Sequence, residues 1–446
     1  MTDTIFALAT APGRSAVAVV RLSGPAVRDT LAALGARRLK PRSASLRSLV
    51  DGAGETLDRA LVLWFPGPAS YTGEDAAELH LHGGPAVVDA VMLALGRLGL
   101  RLAEPGEFTR RAFTNGKMDL GQAEGVADLV DAESRAQARQ AMAQLDGALG
   151  DRYRRWRGAL IGILARLEAA VDFPDEDLPA EVQAQALEPI IRLTDELSSA
   201  LADGVRGRQV RDGYRVALVG AVNAGKSSLF NALVGRDAAI VTAVPGATRD
   251  VIEASIDLNG FRVLIADMAG LRESPDEVEA EGVRRARAWA EAADLRIWVV
   301  DRATQDDSWK EPLTLIRRTD IGLLNKADLA TSIGGARAVV AAGEIGLGLV
   351  DGELATGGAD GLRVLLTQRF TQDLSGSDFP ATTRARHVVH LRAAVGHLDR
   401  ARAMLAEPEL AAEDVRLATR ALAMVTGSIG VEDVLGDIFA SFCIGK

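Results

Sequence analysis

Short runs rich in apolar, strand-forming residues recur in the first part of the chain, at Ala16 to Leu22, Ala60 to Phe65 and Ala77 to His82. A helical pattern from Pro85 to Leu98 sits among them, and Gly and Pro signals separate the pieces. Residues 1–118 therefore read as a small α+β domain. From Leu120 to about Val210 the period changes to that of long helices rich in Ala, Leu, Arg, Gln and Glu, interrupted by DFPDEDLP at Asp172 to Pro179. Strand-like runs return at Tyr214 to Val219, Phe261 to Ala266 and Leu295 to Val300, with a weaker one at Asp320 to Leu324. Helical segments between them give the alternation of a parallel sheet wrapped by helices. After Phe370 the chain is helical again, from Thr383 to Leu405 and Ala411 to Val425. The simplest arrangement joins 119–212 and 371–446 into one discontinuous helical domain, with an α/β domain over 213–370 inserted between its parts.

Composition sharpens this only in part. The 446 residues suit several domains, and 48% hydrophobic with 25% charged residues is an ordinary globular balance. No apolar run is long enough to span a membrane and the N-terminus lacks a secretory pattern, so a cytoplasmic protein is expected. Cys443 is the single cysteine, which excludes an intrachain disulfide and a multi-cysteine metal site. His80 and His82 can share a strand face, but two ligands with no Cys or further His nearby make a poor zinc site; a strand beside a Gly-Gly turn explains them equally. The net charge of −10 argues against unselective binding to nucleic acid. Two local basic clusters survive it: Arg37, Arg38, Lys40, Arg42 and Arg47, and Arg152, Arg154, Arg155 and Arg157. Either can touch RNA phosphates, and either can be solvated surface.

The chemistry is concentrated in the third stretch. VALVG runs into GAVNAGKS at Gly220 to Ser227 and an amphipathic helix follows, which is a P-loop in its required strand–loop–helix context. Gly220 and Gly225 let the backbone N–H groups of Asn223, Ala224, Gly225, Lys226, Ser227 and Ser228 turn toward phosphates. Lys226 reaches the β and γ phosphates, and Ser227 can hold Mg²⁺. Asn325, Lys326, Ala327 and Asp328 spell NKAD at the end of a strand, where the Asp328 carboxylate can accept both N–H groups of guanine that adenine lacks. Between them, Asp267, Met268, Ala269 and Gly270 form a DxxG segment that places Asp267 near Mg²⁺ and Gly270 near the γ-phosphate. Thr248 lies where a first switch supplies a second Mg²⁺ ligand, though it also reads as a plain loop residue. The nucleotide is therefore GTP and the fold a Ras-like P-loop GTPase. Ras-like proteins orient the attacking water with Gln after this glycine; Leu271 cannot, so another group must. Glu273, Asp276, Glu277 and Glu279 follow, as carboxylates able to orient water or as a solvated helix start.

DTIFALATAPGR, YTGEDAAELHLHGG, PGEFTRRAF, LEAAVDFPDE, GLRE and the terminal FCIGK together resemble the MnmE (TrmE) family along nearly the whole chain. The resemblance implies a homodimer formed by the N-terminal domain and a 5-formyltetrahydrofolate or related folate at Arg21, Glu78, Lys117 and Lys446. It implies a heterotetramer with the flavoprotein MnmG, acting on tRNA to install a carboxymethylaminomethyl-type group at carbon 5 of the wobble uridine. It also implies K⁺ bound by Asn223 and a loop around Thr242, Ala243, Val244, Pro245, Gly246 and Ala247, with Glu279 as the water-orienting group. Three positions depart from the family pattern: Met268 replaces a Thr, Ala247 replaces a Thr in the potassium loop, and ELATGG matches the guanine loop loosely at Ala355, Thr356 and Gly357. Cys443 fits the family ending, as a participant in modification or as a packed thiol. The rival expectation is a ribosome-assembly GTPase of the Era or Der kind. GVRG and GSIG match the KH-type GxxG, but neither lies in a βααβ pattern.

Overall fold

Two six-stranded sheets, each with its own core, organise the described residues. The computed structural model describes residues 3–172, 179–237, 251–268, 277–301, 317, 320–326, 348–350, 354–374, 380, 382–429, 432–440, 442 and 444–445. By contacts it divides into one unit of 1–127, 143–197 and 389–446 and a second of 128–142 and 198–388.

In the first unit, strands β1 (Ile5–Leu8), β2 (Ser15–Ser23), β3 (Ser45–Val50), β4 (Thr56–Phe65), β5 (Ala76–Gly83) and β6 (Arg101–Leu102) pair in the order β3-β4-β5-β2-β1-β6. Alternation decides what faces where. Ala18, Val20 and Leu22 on β2 and Ala77, Leu79 and Leu81 on β5 point to a core shared with Val27 and Leu31 and with Val91 and Leu95 of the helix Pro85–Arg97. The intervening residues lie on the opposite face, where Arg21 stands directly across from Glu78 in the antiparallel register.

The PGEFTRRAF segment forms the helix Glu107–Thr114 and buries charge. Arg111 is fully buried and donates to Glu107, to Glu74 and to Asp3, while Arg101 donates to Glu107 and Asp3. Burial alone would raise Glu107, but hydrogen bonds from Arg101, the Glu104 N–H and Arg111 outweigh it and hold its carboxyl below the usual range. Below the ordinary glutamate value the unfolded chain binds more protons than the folded one, so this stabilisation is complete above that value and lost as pH falls through the lowered one. Urea midpoints measured from about pH 6 down to about pH 2 are expected to fall less steeply for Glu107→Gln than for the wild type, as linkage requires. The helical part of this unit packs Ala148–Asp172 against Pro408–Thr426 through residues such as Leu160, Leu167, Val415 and Leu422.

In the second unit, β7 (Tyr214–Val219), β8 (Val251–Leu258), β9 (Phe261–Met268), β10 (Leu295–Asp301), β11 (Ile321–Asn325) and β12 (Gly348–Val350) pair in the order β12-β11-β10-β7-β9-β8. The central strand β7 is apolar on both faces. Val216 and Leu218 meet Phe230 and Leu233 of the helix Lys226–Asp237 and Leu362, Leu366 and Phe370 of Leu354–Leu374. Ala217 and Val219 meet Ala286, Ala290 and Ala293 on the other side. The sheet is not wholly parallel, as the alternation of elements implied: β8 runs antiparallel to β9. Asn259 and Gly260 join them with φ of 54° and 83°, the left-handed pair that a tight hairpin needs. The Asn-Gly dipeptide was a sequence signal for this hairpin.

Candidate functional site: a phosphate-binding loop beside a carboxylate

Strand β7 ends under the loop, and both of its key glycines are fixed by close approach. A Cβ at Gly220 would run into the Val299 carbonyl and one at Gly225 into the Asn325 side-chain amide. Asn223 takes φ of 65°, a conformation asparagine tolerates better than most residues. Lys226 is buried and donates to Gly220 O at 3.0 Å and Ala221 O at 2.9 Å. Burial pushes its ammonium below the ordinary lysine range, against the opposing pull of Asp267. Phosphates arriving at this loop would supply the counter-charge that burial has removed.

Ser227, in the first turn of the following helix, donates to Asp267 Oδ2 at 2.5 Å. Asp267, the penultimate residue of β9, is only 3% exposed, and its Oδ1 is buried without a hydrogen-bond partner among the described residues. A hydroxyl oxygen and a buried carboxylate with a spare oxygen are the donor set of a hard divalent cation, so Ser227 and Asp267 fit Mg²⁺. Met268 follows in a buried apolar cluster with Trp298 and Ala286, which accounts for an apolar side chain at that position.

The third wall comes from β10 and β11, whose last residues Asp301 and Asn325 are register partners. Asn325 donates to Ala224 O at 2.8 Å, tying the strand end to the phosphate loop. Lys326, at φ of 59°, reaches Asp301 at 2.8 Å. Asp301 was not among the expected site residues; an acid ending the strand before the NKAD strand was the available signal. Behind them, Arg296 and Asp320 form a buried pair at 2.9 Å, and Asp320 also accepts from Trp298 Nε1 and the Arg317 N–H. Asp320→Ala is expected to destabilise the protein by about 3–5 kcal/mol, because it strands a buried guanidinium, while Arg296→Met with Asp320→Leu recovers most of that loss. Urea unfolding of the two variants checks this; equal losses in both would contradict it.

The structure thus brings Asn223, Ala224, Gly225, Lys226, Ser227, Ser228, Asp267, Asn325 and Lys326 to one end of one sheet. Thr242 to Thr248, Ala269, Gly270, Ala327 and Asp328 lie outside the described residues. Glu279 falls in the first turn of the helix Glu277–Ala292, and Ala355, Thr356 and Gly357 at the start of Leu354–Leu374, all with side chains outside what is described.

A second constellation lies in the first unit. Arg21 donates to Glu78 at 3.0 Å and to Gly445 O at 3.3 Å, so the carboxyl-terminal tail closes over the pair. Its guanidinium also lies over the rings of Tyr71 and Phe108, 5.7 and 5.8 Å from the centroids. Lys117 donates to Pro68 O at 3.0 Å, on the loop that carries Tyr71. Lys446 and Cys443 are outside the described residues. His80 bonds Glu78 and His82 bonds Asp58, and no cluster of metal-ligating side chains is present among the described residues.

A parallel-centred sheet with this glycine loop, buried lysine and Ser–Asp pair defines a P-loop nucleotide-binding domain. Residues 4–117 match the family described as GTP-binding protein TrmE N-terminus, and residues 120–443 the MnmE helical domain. The chain is 58% identical to the tRNA modification GTPase MnmE of Caulobacter vibrioides and 56% identical to that of Phenylobacterium zucineum, in each case over all of both chains. The protein of the same name from Parvibaculum lavamentivorans is 49% identical, again over the full length of both. The chain belongs to the MnmE (TrmE) family.

Proposed function

We propose that this protein is a GTPase that serves tRNA modification. The buried Lys226 over the loop, with Ser227 and the half-satisfied Asp267 beside it, is the observation that carries the nucleotide half of this reading. Full-length similarity to proteins named for tRNA modification supports the other half and favours it over a ribosome-assembly role.

In this reading the loop N–H groups and Lys226 hold the β and γ phosphates, and Asp328 selects guanine. Ser227, Thr248 and Asp267 hold Mg²⁺, which neutralises charge building on the phosphates. Asn223, Thr242, Val244 and Ala247 hold K⁺, more weakly than a loop with Thr at position 247 would. Glu279 orients the attacking water. The N-terminal domain pairs two chains and binds a formyl-tetrahydrofolate through Arg21, Glu78, Lys117 and Lys446. With MnmG, the protein installs a carboxymethylaminomethyl-type group at carbon 5 of the wobble uridine, in the cytoplasm. No helix among the described residues is long and apolar enough to cross a membrane.

Phosphate release from GTP and from ATP by the purified chain tests the enzymatic half. A preference for GTP of about 10⁴-fold, the scale on which a site built for one hydrogen-bonding pattern rejects another, is expected. Comparable rates with both nucleotides would overturn the guanine assignment.

A further inference from the structure

Between Thr30 and Val50 the sequence carries Arg37, Arg38, Lys40, Arg42 and Arg47 and not one carboxylate, in a protein whose net charge is −10. The structure gathers this segment at one end of the β3–β4 pair. Ser45 and Val62 are register partners near the cluster, while the acidic residues Asp51, Glu55 and Asp58 sit toward the opposite, hairpin end. Arg37, Arg38, Lys40 and Arg42 are all exposed. Arg28, from the helix Val27–Ala33, joins them, with Asp29 beside it in sequence.

Among the described residues, none of these six cations forms a salt bridge. Their contacts are of another kind. The Arg28 guanidinium lies 5.7 Å from the centroid of Trp64, and that of Arg42 lies 5.7 Å from the centroid of Phe65. The Arg42 N–H donates to Trp64 O at 2.9 Å, and Arg47 Nη1 to Leu46 O at 2.8 Å. Two of the arginines, Arg38 and Arg42, hold φ of 55° and 56°, where glycine is the favoured residue. The fold would accept glycine at both positions with less strain, so local backbone preference does not account for the charge.

We propose that this loop, with Arg28, is a docking surface for the phosphate backbone of RNA. A guanidinium presents a planar fork of N–H donors that suits bidentate contact with phosphodiesters, and a neighbouring aromatic ring attracts its charge without neutralising it. The protein's overall negative charge repels a polyanion, so contact gathers where the local sign is reversed, as it is on this loop. Five of the six cations are arginines, the residue that favours phosphate geometry over simple charge. The choice of RNA over another polyanion rests on the tRNA reading above. The surface itself is independent of the nucleotide loop.

The experiment uses the full-length protein and a fluorescent tRNA transcript with unmodified wobble uridine, titrated across a salt series. Two paired variants, Arg38→Gly with Arg42→Gly and Arg37→Gln with Lys40→Gln, are measured alone and combined. The slope of log affinity against log salt is expected to shrink by roughly 0.7–0.9 for each phosphate contact removed, and the four-site variant to bind at least about 10-fold more weakly near 0.1 M salt. GTP hydrolysis should be unchanged, and melting of the glycine pair unchanged or raised, which separates lost contact from lost folding. Wild-type slope and affinity in the four-site variant, with wild-type tRNA binding intact, would overturn this surface and leave the tRNA reading standing. Failure of the wild type to bind tRNA would overturn both. Equal competition by polyglutamate, or by phosphatidylserine vesicles, at matched charge would overturn the choice of RNA.

Discussion

Lys226→Ala is expected to abolish GTP binding at micromolar nucleotide while leaving the nucleotide-free protein about as stable as before. The two parts follow from the same geometry. Lys226 is 6% exposed, and among the described residues its charge is met by two loop carbonyls at 3.0 and 2.9 Å and by the more distant pull of Asp267. A charged group so poorly compensated adds little to the folded state on its own. Against two phosphates it makes charge-assisted hydrogen bonds of about 1.5–3 kcal/mol each, so its loss costs roughly 10²–10⁴-fold in affinity. Thermal melting with and without GTP reads both quantities, because a ligand that binds only the native state stabilises it by an amount that grows with the logarithm of ligand concentration over Kd. The wild type should shift upward with GTP and the variant should not, at similar baseline melting points. A preserved shift would remove Lys226 from phosphate binding; a collapsed baseline would make it a structural residue.

Glu279→Ala is expected to slow GTP hydrolysis by about 10²–10⁴-fold with GTP affinity nearly unchanged, the range typical of a positioned acid–base or water-orienting group. Leu271 follows the DxxG glycine and offers no hydrogen bond to water, so the orienting group must come from elsewhere. Glu279 stands in the first turn of the helix Glu277–Ala292 and follows Glu273, Asp276 and Glu277 in an acidic stretch of the sequence. Single-turnover hydrolysis and fluorescent-GDP titration separate the two quantities. Alanine at Glu273, Asp276 or Glu277 should have smaller effects. If Glu279→Ala weakened binding as much as it slowed turnover, its role would be to hold the fold of the switch.

How much of this was legible in advance depended on whether a signal was local. The P-loop was readable because its glycines, lysine and serine are adjacent in sequence and their geometry is dictated by one turn of backbone. Arg21 and Glu78 are far apart in sequence, and although both segments were readable as strands, the near-continuous apolar run of β2 does not show which face Arg21 takes. Nor does it set register, so their direct pairing emerged only with the sheet. The antiparallel strand β8 went unread because VIEASIDL alternates only loosely, although the Asn259–Gly260 turn marked it. Asp301, Arg296 and Asp320 could not be paired in advance, since each looks like an ordinary strand-end or loop charge until β10 and β11 lie side by side. The buried Glu107–Arg111 pair had the i,i+4 spacing, but spacing alone does not distinguish a solvated pair from a buried one.

The most direct test of the whole account is the state of the wobble uridine in tRNA from cells that lack this gene and carry either the wild-type chain or Lys226→Ala in its place. Mass spectrometry of the digested tRNA should find the carbon-5 aminomethyl-type group with the wild type, and unmodified uridine or a precursor both without the gene and with the variant. Full modification in cells without the gene would contradict the tRNA role, and full modification with Lys226→Ala would break the link between nucleotide binding and that role.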